Sequence, residues 1–268
     1  MSFLTLTKHH GLGNDFLVLL DVEGRHRGLD TARLAQRVCE RRRGVGADGL
    51  LIATAGTDGA DLDMELRNCD GTRAEMSGNG IRCLAQAVFD AGIVQGDLLR
   101  VGTDAGQRVV TCVDRPRPGF MRLRVDMGAA IVLGDDPRWK TGSVLATAVV
   151  DTGNPHLVLL DPAVAEVDVT SEGTRIEMAF PKGINVEWIY PGPGPDELTL
   201  RVWERGAGLT EACGSGSCAA ATAAHAWGRV GPTVVVHNPG GDVIVEVGPT
   251  AILTGPAAYV ARVEFPWR

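Results

Sequence analysis

The chain has 268 residues, of which 44% are hydrophobic and 22% are charged, and its formal net charge is −7. These values are typical of a soluble globular protein with one large domain or two smaller ones. The negative charge offers no electrostatic basis for binding nucleic acid or an anionic membrane surface. No run of residues approaches the ~20 apolar positions that span a bilayer. We therefore predict no nucleic-acid partner and no membrane partner.

Residues 1–16 lack the charged start and long apolar core of a signal peptide, so we expect a cytoplasmic location. The six cysteines include no Cys-x-x-Cys pair, and the histidines show no zinc-binding spacing with them. We therefore expect no disulfide framework and no metal site.

The first half of the chain alternates predicted strands with two predicted helices. Helical spacing of apolar residues predicts a helix over 31–40 and a second over 81–91, which Gly92 ends. The second helix is mostly apolar or small around its circumference, so we expect it to be buried. Alternation of apolar and polar residues predicts strands at 3–8 and 16–22, and further strands are predicted at 50–54, 61–67, 98–102, 107–113 and 121–127.

The second half repeats this plan. An Ala-rich helix is predicted over 217–227. The Pro-rich segment 114–119 is the predicted linker between the halves, and 191–195 is a predicted hairpin loop. Strands are predicted at 145–151, 156–160, 198–204, 234–237, 243–247, 251–254 and 259–265.

One motif occurs twice, and it carries the residues most suited to chemistry. Asn68 lies nine positions before Ser77, and Glu204 lies nine positions before Cys213. A glycine-rich turn then enters a helix in both copies, and its unpaired N–H groups favour an anion such as a carboxylate. A cysteine at such a helix start is expected to have a lowered pKa. The two turns are Gly78-Asn79-Gly80 and Gly214-Ser215-Gly216.

Asparagines at or beside predicted strand ends form a second group of candidates. One asparagine in a turn is often only a turn former, whereas four that converge would hold the ammonium and carboxylate of an amino acid. His156 is either a core histidine or a polar partner of the site. Arg205 is either a carboxylate clamp or an ordinary surface ion pair. The four asparagines are Asn14, Asn68, Asn154 and Asn185.

Taken together, these segments resemble diaminopimelate epimerase over almost the whole chain. Each segment alone is weakly specific, but their order and spacing are highly specific. At Gly49 some family members carry a substrate-contacting glutamine, which is absent here. The segments are His10–Phe16, Arg43–Gly49, Asn68–Gly71, Gly78–Arg82, Gly153–His156, Asn185, Glu204–Gly208 and Ala212–Gly216.

The resemblance implies a cofactor-independent, PLP-independent epimerisation of LL-diaminopimelate to meso-diaminopimelate, a step of lysine and peptidoglycan-precursor synthesis. It implies an α+β fold of two pseudosymmetric halves, each a curved mixed β-sheet wrapped around a central helix. The expected halves are 1–116 and 117–256, with the last strand, 257–268, returning to the first. A small-molecule amino-acid substrate and a homodimer are further expectations from the family.

The resemblance also assigns roles to individual residues. Cys213 and the residue at position 77 are the two acid–base groups, and His156 and Glu204 are polar partners that orient or tune them. The substrate contacts that it implies are Asn14, Asn68, Gly78, Asn79, Asn154, Asn185, Glu204, Arg205, Gly214 and Ser215.

Ser77 departs from the family, which has cysteine there. An alcohol is far less acidic than a thiol, so we expect deprotonation by Ser77 to be very poor and the activity to be impaired. Three interpretations follow: an epimerase with a deliberate Cys→Ser replacement, a related racemase, epimerase or dehydratase with a Ser/Cys pair, or a non-catalytic amino-acid-binding relative.

Overall fold

The computed structural model describes residues 2–267. These residues divide into two compact units, one formed by 2–125 with 255–267 and the other by 126–254. Within the described range, no helix combines the length and the apolar composition that a bilayer crossing needs.

The first unit consists of a mixed sheet with one helix buried against it and one helix on its outer side. Its elements are β1 (Ser2–Gly11), β2 (Asn14–Asp21), α1 (Thr31–Val38), β3 (Gly49–Ala55), β4 (Leu62–Asn68), β5 (Arg73–Ala74), α2 (Gly78–Asp90), β6 (Leu98–Gly102), β7 (Arg108–Arg117) and β8 (Phe120–Asp126).

The second unit has the same kind of composition and carries the start of the last strand. Its elements are β9 (Ile131–Gly134), a 3₁₀ turn (Pro137–Trp139), β10 (Ala146–Asp151), β11 (Pro155–Leu160), α3 (Val169–Met178), β12 (Asn185–Pro191), β13 (Glu197–Glu204), β14 (Gly208–Leu209), α4 (Gly214–Ala226), β15 (Thr233–Asn238), β16 (Gly241–Glu246) and β17 (Ile252–Trp267).

The strand pairing is the same in both units. In the first, β1–β2 is antiparallel, β2–β3 parallel, β3–β4 antiparallel, β4–β6 parallel and β6–β7 antiparallel. In the second, β10–β11, β11–β12, β12–β13, β13–β15 and β15–β16 follow the identical series. The last strand, β17, ends by pairing antiparallel with β1. The predicted α+β fold with a repeated half is thus confirmed.

The central helix of each unit is buried because it consists mostly of apolar and small residues, and buried polar side chains of α2 bond within the protein, as Arg82 does to Gly78 O and Gln86 to Gly119 O. Every residue of α2 from Gly78 to Val88 is buried, and α4 is buried from Gly216 to Ala224. Helix α2 packs against β1, β2, β3 and β7, whereas α4 packs against β9–β13, β15 and β16. This placement brings the start of each helix to the ends of the parallel strand pair of its own unit.

Most predicted elements are present, and the differences have physical reasons. Helix α3 was not predicted because it buries only Val169, Gly173 and Ile176 and is otherwise polar. Strand β12 was not predicted as an element either. The expectation that 114–119 links the halves is wrong, because these residues belong to the β7–β8 hairpin, where Arg117 pairs with Phe120. The predicted loop at 191–195 is confirmed as the connection between the antiparallel strands β12 and β13.

Candidate active site

Ser77 and Cys213 occupy the same structural position, each at the N-cap of the buried helix of its unit. Both have extended backbone angles, φ −138° and ψ 123° for Ser77 and φ −123° and ψ 118° for Cys213. Each side chain accepts a hydrogen bond from the backbone N–H three residues on, Gly80 N to Ser77 Oγ at 3.0 Å and Gly216 N to Cys213 Sγ at 3.3 Å. An N-cap requires such an extended residue with a short acceptor side chain. The sequence duplication is therefore a duplicated cap.

Cys213 is buried beside an acidic residue. It is 4% exposed, and its Sγ lies 3.5 Å from Ser215 Oγ. The thiol also interacts electrostatically with the Glu204 carboxyl. Glu204 Oε1 in turn accepts a bond from Thr210 Oγ1 at 2.5 Å. The second unit thus brings together three of the predicted site residues, Cys213, Glu204 and Ser215.

The expected lowering of the thiol pKa at Cys213 is wrong. Burial, followed by the negative charges of Glu204 and Glu187, raises the pKa of this thiol well above its ordinary value. The Ser215 hydroxyl and the Gly216 N–H act in the lowering direction but are outweighed. Burial likewise raises the pKa of the Glu204 carboxyl, whereas the Thr210 hydroxyl and the Cys213 thiol act to lower it. Cys213 is therefore a neutral thiol that can donate a proton.

His156 lies on β11, which pairs with β12, and both of its ring nitrogens are hydrogen-bonded. Nδ1 lies 2.7 Å from Glu187 Oε1, and both side chains are fully buried. Nε2 lies 3.0 Å from Asn154 Oδ1, which also accepts from Thr152 Oγ1 at 2.9 Å. Asn154 and His156 are thus held together, and the ring cannot turn without losing a bond at each end.

Glu187 is a site residue that the sequence-based analysis did not identify. It lies on β12 two residues after Asn185, and burial raises the pKa of its carboxyl while His156 acts to lower it. A Cβ added to Gly216 would lie 2.7 Å from Glu187 Oε1 and 3.3 Å from Cys213 Sγ, so both atoms flank the first turn of α4. The available signal was a single carboxylate inside the apolar stretch Ile184–Ile189.

The predicted substrate asparagines of the first unit make contacts with the protein itself. Asn14 Nδ2 donates to Asp48 Oδ2 at 2.8 Å, and Asn14 Oδ1 accepts from Asn79 Nδ2 at 3.2 Å. Asn68 is exposed, and its Nδ2 donates to Thr72 Oγ1 at 3.0 Å. Asn14 and Asn79 are therefore brought together, with Asn79 in the first turn of α2.

In the second unit, Asn185 holds two backbone segments together. Its Nδ2 donates to Pro155 O at 2.9 Å, and its Oδ1 accepts from Arg205 N at 2.9 Å. The exposed Arg205 side chain donates to Lys182 O at 3.4 Å. The amide of Asn185 thus holds the backbone directly before His156 and directly after Glu204.

A buried arginine lies under the start of α2. Arg82 is fully buried, and its guanidinium donates to Gly78 O at 3.0 Å, to Asn79 Oδ1 at 2.7 Å and to Pro256 O at 3.1 Å. Its positive charge and the N–H groups of the first turn both favour an anion at this end of the helix. Among the described residues, no group of three or more His, Cys, Asp or Glu side chains has a metal-binding arrangement.

Comparison with known proteins gives a consistent result. The model of the family described as diaminopimelate epimerase matches residues 6–133 and 148–260. The diaminopimelate epimerase of Moorella thermoacetica is 40% identical, with 97% of this chain and 98% of that protein covered. Two solved structures, each 16% identical, have TM-scores of 0.76: a Bacillus anthracis phenazine biosynthesis protein of the PhzF family (100% of both chains) and an Agrobacterium vitis hydroxyproline epimerase (98% of this chain and 92% of that one). The two structures show a shared fold.

Proposed function

The chain belongs to the diaminopimelate epimerase family, and on that basis we propose that it interconverts LL- and meso-diaminopimelate without a cofactor. It is an isomerase of the epimerase type. The reaction in this proposal inverts one α-carbon, with Cys213 acting on one face and the residue at position 77 on the other. Lysine and peptidoglycan-precursor synthesis is the proposed metabolic setting.

The observation that carries the proposal is the protonation environment of Cys213. Cys213 is a buried thiol at a helix N-cap, bonded to Ser215 Oγ and Gly216 N, and its raised pKa keeps it a proton donor in the electrostatic field of the Glu204 carboxyl. When the thiol protonates an α-carbanion, its S–H bond breaks, a C–H bond forms and a thiolate remains. The Gly216 N–H and Ser215 hydroxyl stabilise that thiolate by the bonds they already make. The reverse step returns the α-proton to sulfur.

The first turns of α2 and α4 supply the second requirement, support for negative charge. A substrate α-carboxylate bound by the N–H groups of Gly78, Asn79, Gly214 or Ser215 would gain from the helix dipole. Such donors stabilise the carbanionic transition state most effectively in a dry site. Asn14, Asn68, Asn154, Asn185, Glu204 and Arg205 are the remaining proposed substrate contacts.

Ser77 makes the two faces of the proposed reaction unequal. Its hydroxyl already accepts from Gly80 N, and an alcohol at this position has an acidity far below that of a thiol. We therefore propose that the epimerase activity of this chain is impaired at the Ser77 step and intact at the Cys213 step. A related epimerase or dehydratase that uses a Ser/Cys pair is the second candidate, and Ser77 itself is the observation that favours it.

The test is Ser77→Cys, assayed for diaminopimelate epimerisation with chirally resolved product. We expect the rate to rise by orders of magnitude, because the new thiol takes the same N-cap position as Cys213. The matched control is Ser77→Cys combined with Cys213→Ser, which should abolish the gain. Absence of diaminopimelate turnover in Ser77→Cys would contradict the proposal and leave the second candidate.

A further inference from the structure

Glu187 is a buried carboxylate to which the proposed reaction gives no role. It is fully buried, and its Oε2 has no hydrogen-bond partner among the described residues. Leaving a buried carboxylate oxygen unsatisfied costs stability, so a residue that only filled space here would be better replaced by an apolar one. The presence of a carboxylate at this buried position therefore indicates a functional role.

The first unit shows what the fold alone requires at this position. Parallel register aligns Phe16 with Gly49 and Val18 with Leu51 in the first unit, and His156 with Asn185 and Val158 with Glu187 in the second. The first unit thus has Phe16 where the second has His156, and Leu51 where the second has Glu187.

The contacts of the two central helices support the same correspondence. A Cβ on Gly80 would lie 3.4 Å from Leu51 Cδ2, and a Cβ on Gly216 would lie 2.7 Å from Glu187 Oε1. In the first unit the same backbone arrangement therefore folds with the apolar pair Phe16 and Leu51. The carboxyl–imidazole pair occurs only in the unit that carries Cys213, the proposed competent acid–base group.

The hydrogen bonds of His156 fix the orientation of its ring. Nδ1 lies 2.7 Å from Glu187 Oε1, and Nε2 lies 3.0 Å from Asn154 Oδ1, which also accepts from Thr152. Because the side chains of His156 and Glu187 are both fully buried, solvent weakens the bond at Nδ1 little. Without the Glu187 carboxylate, only the Nε2 end of the ring would be held.

We propose that Glu187 is a positioning residue that holds the His156 ring in one orientation at the first turn of α4, beside Cys213. This inference rests on the proposed acid–base role of Cys213 and on the proposed role of His156 as a polar partner of the acid–base groups. Glu187 acts on the ring through Nδ1, as carboxylates often do behind a functional histidine.

The ring signals of His156 provide the first test. In ¹⁵N-histidine-labelled protein at pH 7 they are assigned by their loss in His156→Asn. They should change in Glu187→Gln, because Nδ1 loses its carboxylate partner. Unchanged ring signals in Glu187→Gln would overturn the proposal. This spectrum needs no activity, so its outcome is separate from the success or failure of the proposed function.

The activity test uses Glu187→Gln, which keeps the shape of the side chain and removes its charge. We expect hydrogen exchange at the α-carbon of diaminopimelate to fall about 10- to 100-fold. The matched control is Glu197→Gln, which neutralises the partner of the more exposed His237 (Nε2 to Oε2, 3.0 Å) and should change neither the His156 ring signals nor the exchange rate. An unchanged exchange rate in Glu187→Gln would reduce Glu187 to a structural residue. If Glu187→Gln does not fold, Glu187→Asp takes its place: its shorter side chain should lose the 2.7 Å contact with Nδ1 and change the same ring signals, and unchanged signals would overturn the proposal.

Discussion

Gly216→Ala is expected to destabilise the protein more than Gly80→Ala, although the two glycines have the same place in their helices. Each would bring its new Cβ close to the Cβ of its own N-cap, 3.2 Å from Cys213 and 3.1 Å from Ser77. That strain is common to both and cancels in the comparison. The two sites differ in the side chain of the neighbouring strand that the new Cβ meets, which is Glu187 Oε1 at 2.7 Å for Gly216 and Leu51 Cδ2 at 3.4 Å for Gly80.

The magnitude follows from what Glu187 must do to make room. Its carboxyl is the far end of a flexible side chain, but it is fully buried and bonded to His156 at 2.7 Å, so it cannot turn into solvent. Overpacking of this kind costs about 1–3 kcal/mol. Replacing a helical glycine by alanine returns about 1 kcal/mol. Both variants share this gain, so we expect Gly216→Ala to be about 1–3 kcal/mol less stable than Gly80→Ala, and Gly80→Ala to lie within about 1 kcal/mol of the native protein.

Urea unfolding, followed by circular dichroism, measures the stability of both variants. Their unfolding midpoints are compared on condition that the dependence of the unfolding free energy on urea is unchanged. The double variant Gly216→Ala with Glu187→Leu is the internal control, because it reproduces the Leu51 environment and should recover part of the loss. If Gly216→Ala proves as stable as Gly80→Ala, the placement of the Glu187 carboxylate against α4 is wrong.

Three further predictions concern stability. His237 lies between Glu197 and Asp242, and its pKa is raised, first by the hydrogen bond to Glu197. The charged imidazole therefore stabilises the folded protein below about pH 6.5, and this stabilisation is lost as pH rises through the folded-state pKa. Solvent screening keeps this contribution to the free energy of unfolding below about 1 kcal/mol. The test is a pH series of urea midpoints, and the same pH dependence in His237→Asn and in the native protein would exclude the contribution. Asp30→Ala should cost about 1 kcal/mol in thermal unfolding, because its side chain caps α1; no loss would contradict that cap. Arg82→Met should cost about 3 kcal/mol or more through three lost buried hydrogen bonds, and a stability within 1 kcal/mol of native would refute their importance.

Local sequence signals predicted the parts of the site that lie close together in the chain. Gly-Asn-Gly and Gly-Ser-Gly before Ala-rich or apolar runs predicted α2 and α4, and with them the places of Ser77 and Cys213 at the starts of these helices. The acidity of Cys213 was predicted in the wrong direction, because burial of the thiol, followed by the charges of Glu204 and Glu187, outweighs the donors at the helix start. Burial depends on tertiary packing, and Glu187 is placed by the pairing of β11 with β12. A carboxylate that acts across strands leaves no local spacing to detect. Helix α3 was missed for a different reason, since it buries few apolar residues.

The central claim is that Cys213 is a competent acid–base group and Ser77 is an impaired one. The most direct measurement incubates each pure isomer of diaminopimelate with the native chain in D₂O and follows deuterium at the α-carbon together with the appearance of the other isomer. We expect rapid exchange on one isomer, far faster than epimerisation, and loss of that exchange in Cys213→Ser. Equal slow exchange on both isomers, or exchange that survives in Cys213→Ser, would contradict it.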